Sequence, residues 1–144
     1  MVDFFSNSST IFVEALRKEK NIEKIQAVGY CFGGLYVLLA GGHQSHLVDA
    51  VVGCHVSLTN RTHFQKVRVP VALVCAEQDD QFSNSQRIEA ERILSHRPEI
   101  QSQFLLTKGT VHGFAARPNP DNPAIMEAYQ QANQFIVQWA KTHL

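Results

Sequence analysis

The chain has 144 residues, with 13 Lys and Arg set against 13 Asp and Glu, so its formal net charge is zero. That length gives one domain with room for a core, and the charge balance gives no electrostatic case for nucleic acid or an anionic membrane surface. Three cysteines, Cys31, Cys54 and Cys75, are an odd number, and the last two sit inside apolar runs. They argue against a disulfide framework and for a reducing, cytoplasmic setting.

The stretch from Met1 to Ser6 lacks the basic start and long apolar region of a signal peptide. Ser8 or Ser9 is expected to cap a first helix running to about Lys20. In it Ile11, Phe12, Ala15 and Leu16 share one face, and Glu14, Arg17, Lys18 and Glu19 take the other. Asn21 ends that helix, and a strand follows from Ile25 to Tyr30. The uncharged stretch from Ala27 to Gly42 is shorter than the roughly 20 residues a membrane span needs, and it is rich in glycine. A buried strand turning tightly into a buried helix explains it better, with the helix stopping near Gly41 and Gly42.

A second strand spans Asp49 to His55, and the polar residues from Ser57 to Gln65 form a connection. The third strand, Val69 to Ala76, has a proline at its second position, which a strand start tolerates. Asn84 or Ser85 caps a helix carrying Ile88, Ile93 and Leu94, and Pro98 ends it. A short fourth strand covers Gln103 to Thr107. The last helix has Asn122 as cap and Pro123 at its first position, with Ile125, Tyr129, Ala132, Ile136 and Trp139 on a core face. Strands that are apolar throughout and alternate with helices predict an α/β fold: about four parallel strands flanked by helices on both faces.

The turn between the first strand and the second helix reads Gly29-Tyr30-Cys31-Phe32-Gly33. Gly-x-Cys-x-Gly is the nucleophile-elbow pattern with cysteine in place of serine. Minimal side chains on both flanks let strand and helix cross closely. The turn places the sulfur at a helix N-terminus, where free N–H groups and the helix dipole favour a thiolate. The amide of Phe32 is then a candidate donor to an oxyanion. A buried structural cysteine is the competing reading.

In a parallel sheet, function gathers at the C-terminal ends of the strands. Those ends carry Cys31, then His55 with Ser57, then Glu77 to Asp80, then His112. A nucleophilic cysteine needs a base, and the base needs a carboxylate to fix its tautomer. Cys31, Asp79 and His112 have the chain order nucleophile, acid, histidine. Glu77 and Asp80 share the loop with Asp79, which is the favoured acid. His112 lies between Gly109 and Gly113, in a loop able to present its ring. His43, His46, His63, His96 and His143 sit in polar or terminal settings and are expected to be exposed. The pair His43 and His46 has no accompanying carboxylate or cysteine, so no metal is expected.

Gly-Tyr-Cys-Phe-Gly-Gly at 29–34, Ala-Glu-Gln-Asp-Asp-Gln-Phe at 76–82 and His-Gly-Phe-Ala-Ala-Arg at 112–117 together resemble the dienelactone hydrolase family. The resemblance runs from about Ile11 to the C-terminus. It implies an α/β-hydrolase fold with a Cys-Asp-His triad, carrying Cys31 over as nucleophile, Asp79 as acid and His112 as base. It also implies Arg117 and Tyr30 as substrate contacts, and likens His55-Val56-Ser57 to a family stretch that is often His-Pro-Ser. Family domains have further strands before the pre-elbow helix. Residues 1–144 would therefore form a single partial domain, the C-terminal part of the fold, with weakened turnover. The implied reaction opens an ester-like bond, most simply a lactone, with a small-molecule substrate, through a thioester and without cofactor. Two alternatives stand beside it: a remnant that binds a small ligand or a protein, and a redox-sensing thiol. With its second neighbour missing, the strand Ile25 to Tyr30 is expected to be a bare edge through which the chain dimerises or binds a partner.

Overall fold

The computed structural model describes the backbone of residues 2–144 and the side chains of residue 8 and of residues 10–144. Nine elements follow one another among these residues: α1 (Val2–Lys20), β1 (Gln26–Tyr30), α2 (Phe32–Gly41), β2 (Ala50–Cys54), α3 (Arg61–Lys66), β3 (Val71–Gln78), α4 (Asn84–Ser95), β4 (Ser102–Val111) and α5 (Pro123–His143). The four strands form one sheet in the order β1-β2-β3-β4, and every neighbouring pair is parallel. This is the expected α/β architecture. Among the described residues β1 pairs with β2 alone, so its other side is a free edge.

Apolar content on both sides of the strands is what lets the sheet be covered twice. Every residue of β2 is buried. Val51 and its neighbours Val71 and Leu73 face a core closed by Val37 and Leu38 of α2, Phe64 of α3, and Ile93 and Leu94 of α4. Val52, Cys54, Ala72 and Val74 face the opposite core, closed by Ala128, Ala132, Ile136 and Trp139 of α5 together with Phe114. Burying one such Val or Leu side chain contributes about 1.5–3 kcal/mol. Small residues dominate the strand side of the α5 core, which is where the Trp139 ring fits.

Several local expectations need correction. The first helix starts at Val2, not after Ser8 or Ser9; no proline or glycine interrupts the run, so serine has no chain end to cap. Its assigned apolar face is only partly used: Ile11 and Phe12 are exposed, whereas Ala15 and Leu16 are half-buried. Asn21 does end it, in a left-handed conformation with φ 51° that asparagine tolerates. The connection from Ser57 to Gln65 contains α3, nucleated by Asn60, whose side chain accepts from the Thr62 amide at 2.9 Å while His63 Nδ1 accepts from the Asn60 amide at 3.0 Å.

The cap of α4 is Ser83, in a reciprocal box with Gln86, rather than Asn84 or Ser85. Ile88 on that helix is exposed, so only Ile93 and Leu94 of its assigned core residues are buried. The helix α5 begins as expected, with Asn122 accepting from the amides of Ala124 and Ile125. Gly42 ends α2 without a left-handed turn, at φ −91°. It is small because a Cβ there would lie 3.0 Å from the Lys66 carbonyl. Of the five histidines expected at the surface, His46 and His96 are exposed, while His43, His63 and His143 are half-buried. No helix among the described residues is long and apolar enough to cross a membrane.

Candidate active site

Cys31 sits between β1 and α2, as the N-cap of α2, with φ 52° and ψ −119°. A non-glycine residue in such a conformation costs about 1–3 kcal/mol and persists only where its surroundings enforce it. Here the enforcement is visible. The Cys31 amide donates to the Cys54 carbonyl at 3.0 Å, and its own carbonyl accepts from the amides of Gly34 at 3.0 Å and Ser57 at 3.1 Å. Gly29 supplies the close crossing: a Cβ there would lie 2.2 Å from the Gly33 carbonyl oxygen. A Cβ on Gly33 itself would meet nothing, so the crowding expected at both flanks exists at only one.

His112 follows β4 directly. That strand runs to Val111, well beyond the expected end at Thr107, and is ten residues long. Its last part is held across an irregularity in β3 near Ala76 and Gln78 by two buried threonines. Thr107 Oγ1 donates to the Cys75 carbonyl at 2.9 Å, and Thr110 Oγ1 donates to the Thr107 carbonyl at 2.7 Å. Gly113, at φ 94°, then turns the chain away.

The three residues expected from chain order meet. His112 Nε2 lies 3.1 Å from Cys31 Sγ, and its Nδ1 lies 2.9 Å from both carboxylate oxygens of Asp79. The Asp79 side chain is only 2% exposed. Its Oδ1 also accepts from the amides of Gln81 at 2.9 Å and Phe82 at 3.0 Å, which fix the carboxylate in place. The two other acids of the loop go elsewhere. Glu77 accepts from the Gly109 amide at 2.8 Å, and Asp80 is exposed.

The electrostatics follow from this contact. The hydrogen bond from His112 pulls the Cys31 thiol below its ordinary range, helped by Ser57 and the Phe32 amide and opposed by burial. Burial alone would depress His112, but its bonds to Cys31 and Asp79 and the charge of Asp79 raise it overall. Both shifts favour an ion pair of thiolate and imidazolium. The Phe32 amide is turned toward the sulfur, and its ring, largely exposed, packs edge-on against Tyr36 at 4.8 Å.

Tyr30 is half-buried against the α5 core, with its ring 6.0 Å from that of His55. Arg117 is exposed, and its side chain has no hydrogen-bond or ion-pair partner among the described residues. The structure does not bring Arg117 into contact with the Cys31, His112 and Asp79 cluster. Two residues expected only as strand-end polar groups and as part of the His55-Val56-Ser57 stretch, with no role given to either, lie against it. Ser57 Oγ lies 3.5 Å from Cys31 Sγ, and the His55 ring centroid lies 5.0 Å from that of His112. His55 is fully buried, and burial next to His112 pushes its pKa down to about 4. Among the described residues no three His, Cys, Asp or Glu side chains converge as a metal site.

The chain is similar to the hydrolase tropI of Talaromyces stipitatus, 28% identical over 138 residues that cover 93% of this chain and 52% of that protein. It is also similar to dienlactone hydrolase 1 of Gibberella moniliformis, 31% identical over 120 residues that cover 81% of this chain and 44% of the relative. The chain thus spans about half the length of the curated relatives it matches. Among solved structures, a dienelactone hydrolase-like promiscuous phosphotriesterase from metagenomic libraries superposes with a TM-score of 0.68 at 17% identity. That match covers 94% of this chain and 61% of the other, and shows a shared α/β-hydrolase fold. The profile of the dienelactone hydrolase family matches residues 6–144, and the chain belongs to that family.

Proposed function

We propose that this chain hydrolyses an ester-like bond, with a lactone of the dienelactone type as the substrate class, using Cys31 as nucleophile, His112 as base and Asp79 as the group that orients it. The observation that carries the reading is the continuous path from Sγ to Nε2 at 3.1 Å and from Nδ1 to the Asp79 carboxylate at 2.9 Å. The Cys31 thiolate attacks the carbonyl carbon. The Phe32 N–H stabilises the resulting oxyanion. As the ring C–O bond breaks, His112 gives its proton to the departing oxygen, leaving a thioester. His112, neutral again, takes a proton from water, hydroxide adds to the thioester, and the C–S bond breaks to return the thiolate and release the acid.

No metal or organic cofactor enters these steps. Tyr30 and Arg117 are the proposed substrate contacts, Arg117 by reaching a substrate carboxylate from its exposed position. Residues 1–144 act in this reading as the C-terminal part of an α/β-hydrolase domain. A reducing, cytoplasmic setting suits a thiol nucleophile in a chain whose cysteines are all free. The free side of β1 is proposed to recruit a second copy or another polypeptide strand, since an apolar edge without proline or inward charge favours pairing.

The test is turnover of a dienelactone or a small aryl ester, with the acyl-enzyme trapped by acid quench and weighed. A mass increase mapping to Cys31, lost in Cys31→Ala, is the expected result. A thiolate so placed is also oxidisable. Reversible loss of the Cys31 thiol with peroxide, without ester turnover, would replace hydrolysis by redox sensing.

A further inference from the structure

We propose that Ser57 is a second side-chain donor to the Cys31 sulfur, one that steadies the thiolate before attack and receives it again when the thioester breaks. The inference deepens the hydrolase reading above and rests on it.

Ser57 Oγ lies 3.5 Å from Sγ, and Ser57 is only 2% exposed. Burying a hydroxyl is unfavourable unless it hydrogen-bonds. The sulfur is the only hydrogen-bond partner of this hydroxyl among the described residues. A hydroxyl has one proton to donate, and a thiolate has no proton to give, so in the ionised state Ser57 is necessarily the donor. Bonds to an ionised acceptor are the stronger kind.

The placement of the hydroxyl is enforced by its neighbours. His55 takes φ 36°, which turns the chain sharply at the end of β2. Val56 is 1% exposed and fills space that two glycines leave open. A Cβ on Gly34 would lie 2.4 Å from Val56 Cγ1, and one on Gly53 would lie 2.6 Å from it. The Ser57 amide then donates to the Cys31 carbonyl at 3.1 Å. The segment is therefore locked to the elbow through Val56 and the Ser57 amide, immediately before the serine side chain.

Ser57 differs from His112 in what happens to its proton. His112 gives its proton away during ring opening and regains one from water. Ser57 keeps its proton throughout and offers a hydrogen bond at every stage. When the C–S bond breaks, the electron pair returns to a sulfur that already faces this donor. The lowered thiol is consistent with it, since the bond from Ser57, with that from His112, favours the thiolate. Ser57 thus makes the sulfur a better leaving group.

Alkylation of Cys31 against pH tests this without needing turnover. Wild type, Ser57→Ala and Ser57→Thr are reacted with iodoacetamide from pH 4 to pH 9, the Cys31 peptide is quantified, and folding is checked by circular dichroism. The alanine variant should titrate at higher pH, with labelling about three- to tenfold slower below both midpoints, and threonine should restore most of the loss. In single-turnover kinetics with an aryl ester, Ser57→Ala should slow acyl release more than acyl formation. A folded Ser57→Ala with the wild-type midpoint would overturn the proposal, even if its Tm fell. Should alanine unfold the loop, the isosteric pair Ser57→Thr and Ser57→Val asks the same question, and equal midpoints in that pair would overturn it. A wild-type midpoint in the ordinary thiol range would instead overturn the thiolate reading itself.

Discussion

Cys31 and Cys54 are joined by a backbone hydrogen bond of 3.0 Å, yet their thiols belong to different chemistries. Cys54 is fully buried in the α5 core, and burial pushes its pKa up to about 12. Cys75, in the core on the other face, is likewise pushed up to about 12 by burial. Cys31, one residue past the strand on a forced turn, has an imidazole, a hydroxyl and an amide around its sulfur and is lowered. The sheet interior selects cysteine as a small hydrophobe, while its C-terminal rim lowers the pKa of the same side chain and so favours its anion. What separates them is burial on one side and donors within reach on the other.

Removing the sulfurs one at a time should sharpen that contrast most. Cys31→Ala is expected to lower ester turnover by about 10⁴-fold or more, as loss of a nucleophile generally does. Cys54→Ala should leave turnover within a factor of two or three and cost about 1 kcal/mol of stability through a small cavity. Purified variants with an aryl ester and a denaturation curve provide both measurements. Equal losses of turnover would erase the distinction between the two thiols.

Removing the donors comes next. His112→Ala should slow Cys31 alkylation near pH 7 by about tenfold or more, because the cation that favours the thiolate is gone. Asp79→Asn should act in the same direction but less, and Asp80→Asn should change nothing. A larger effect from Asp80 than from Asp79 would move the acid by one position.

A smaller effect concerns stability. His55 has a folded pKa of about 4 against an ordinary value of 6.5, so between those values the unfolded chain binds a proton that the folded chain refuses. Stability conferred by the neutral ring is complete above pH 6.5 and is lost as pH falls toward 4, by about 3 kcal/mol at most. His55→Asn, which tolerates positive φ, should flatten that acid limb in urea titrations. An unchanged slope would place the titration elsewhere.

The edge offers the mildest test. Val28→Pro, shown by circular dichroism to remain folded, should shift a β1-mediated assembly toward monomer in sedimentation at micromolar concentration. A wild-type monomer that unfolds cooperatively would refute association through β1.

Much of this was legible in the chain. Strands buried on both faces must be apolar throughout, so β2 and β3 stand out, and the order of Cys31, Asp79 and His112 follows from the topology of a parallel sheet. Other features depend on contacts that no local pattern carries. The extension of β4 rests on Thr107, which donates to the Cys75 carbonyl, and on Thr110, which accepts from the Glu77 amide, across a break in β3, whereas Lys108 and Gly109 read locally as a turn. The helix α3 is short and polar, with Phe64 its one buried side chain. The cap of α4 had a readable signal, Ser83 with Gln86 three residues on, that outranks the neighbouring Asn84. The burial of His55 and Ser57 was not readable, since polar side chains go inside only when the fold brings them partners or neighbours that shut out water.

Of the three cysteines, Cys31 is the one whose thiol is lowered by its surroundings, and its reactivity should stand apart for that reason. Limited alkylation at neutral pH with substoichiometric iodoacetamide, followed by peptide mapping, tests it most directly. Cys31 should be labelled first, and Cys54 and Cys75 should stay unlabelled until the chain unfolds. Labelling of Cys54 or Cys75 before Cys31 would contradict it.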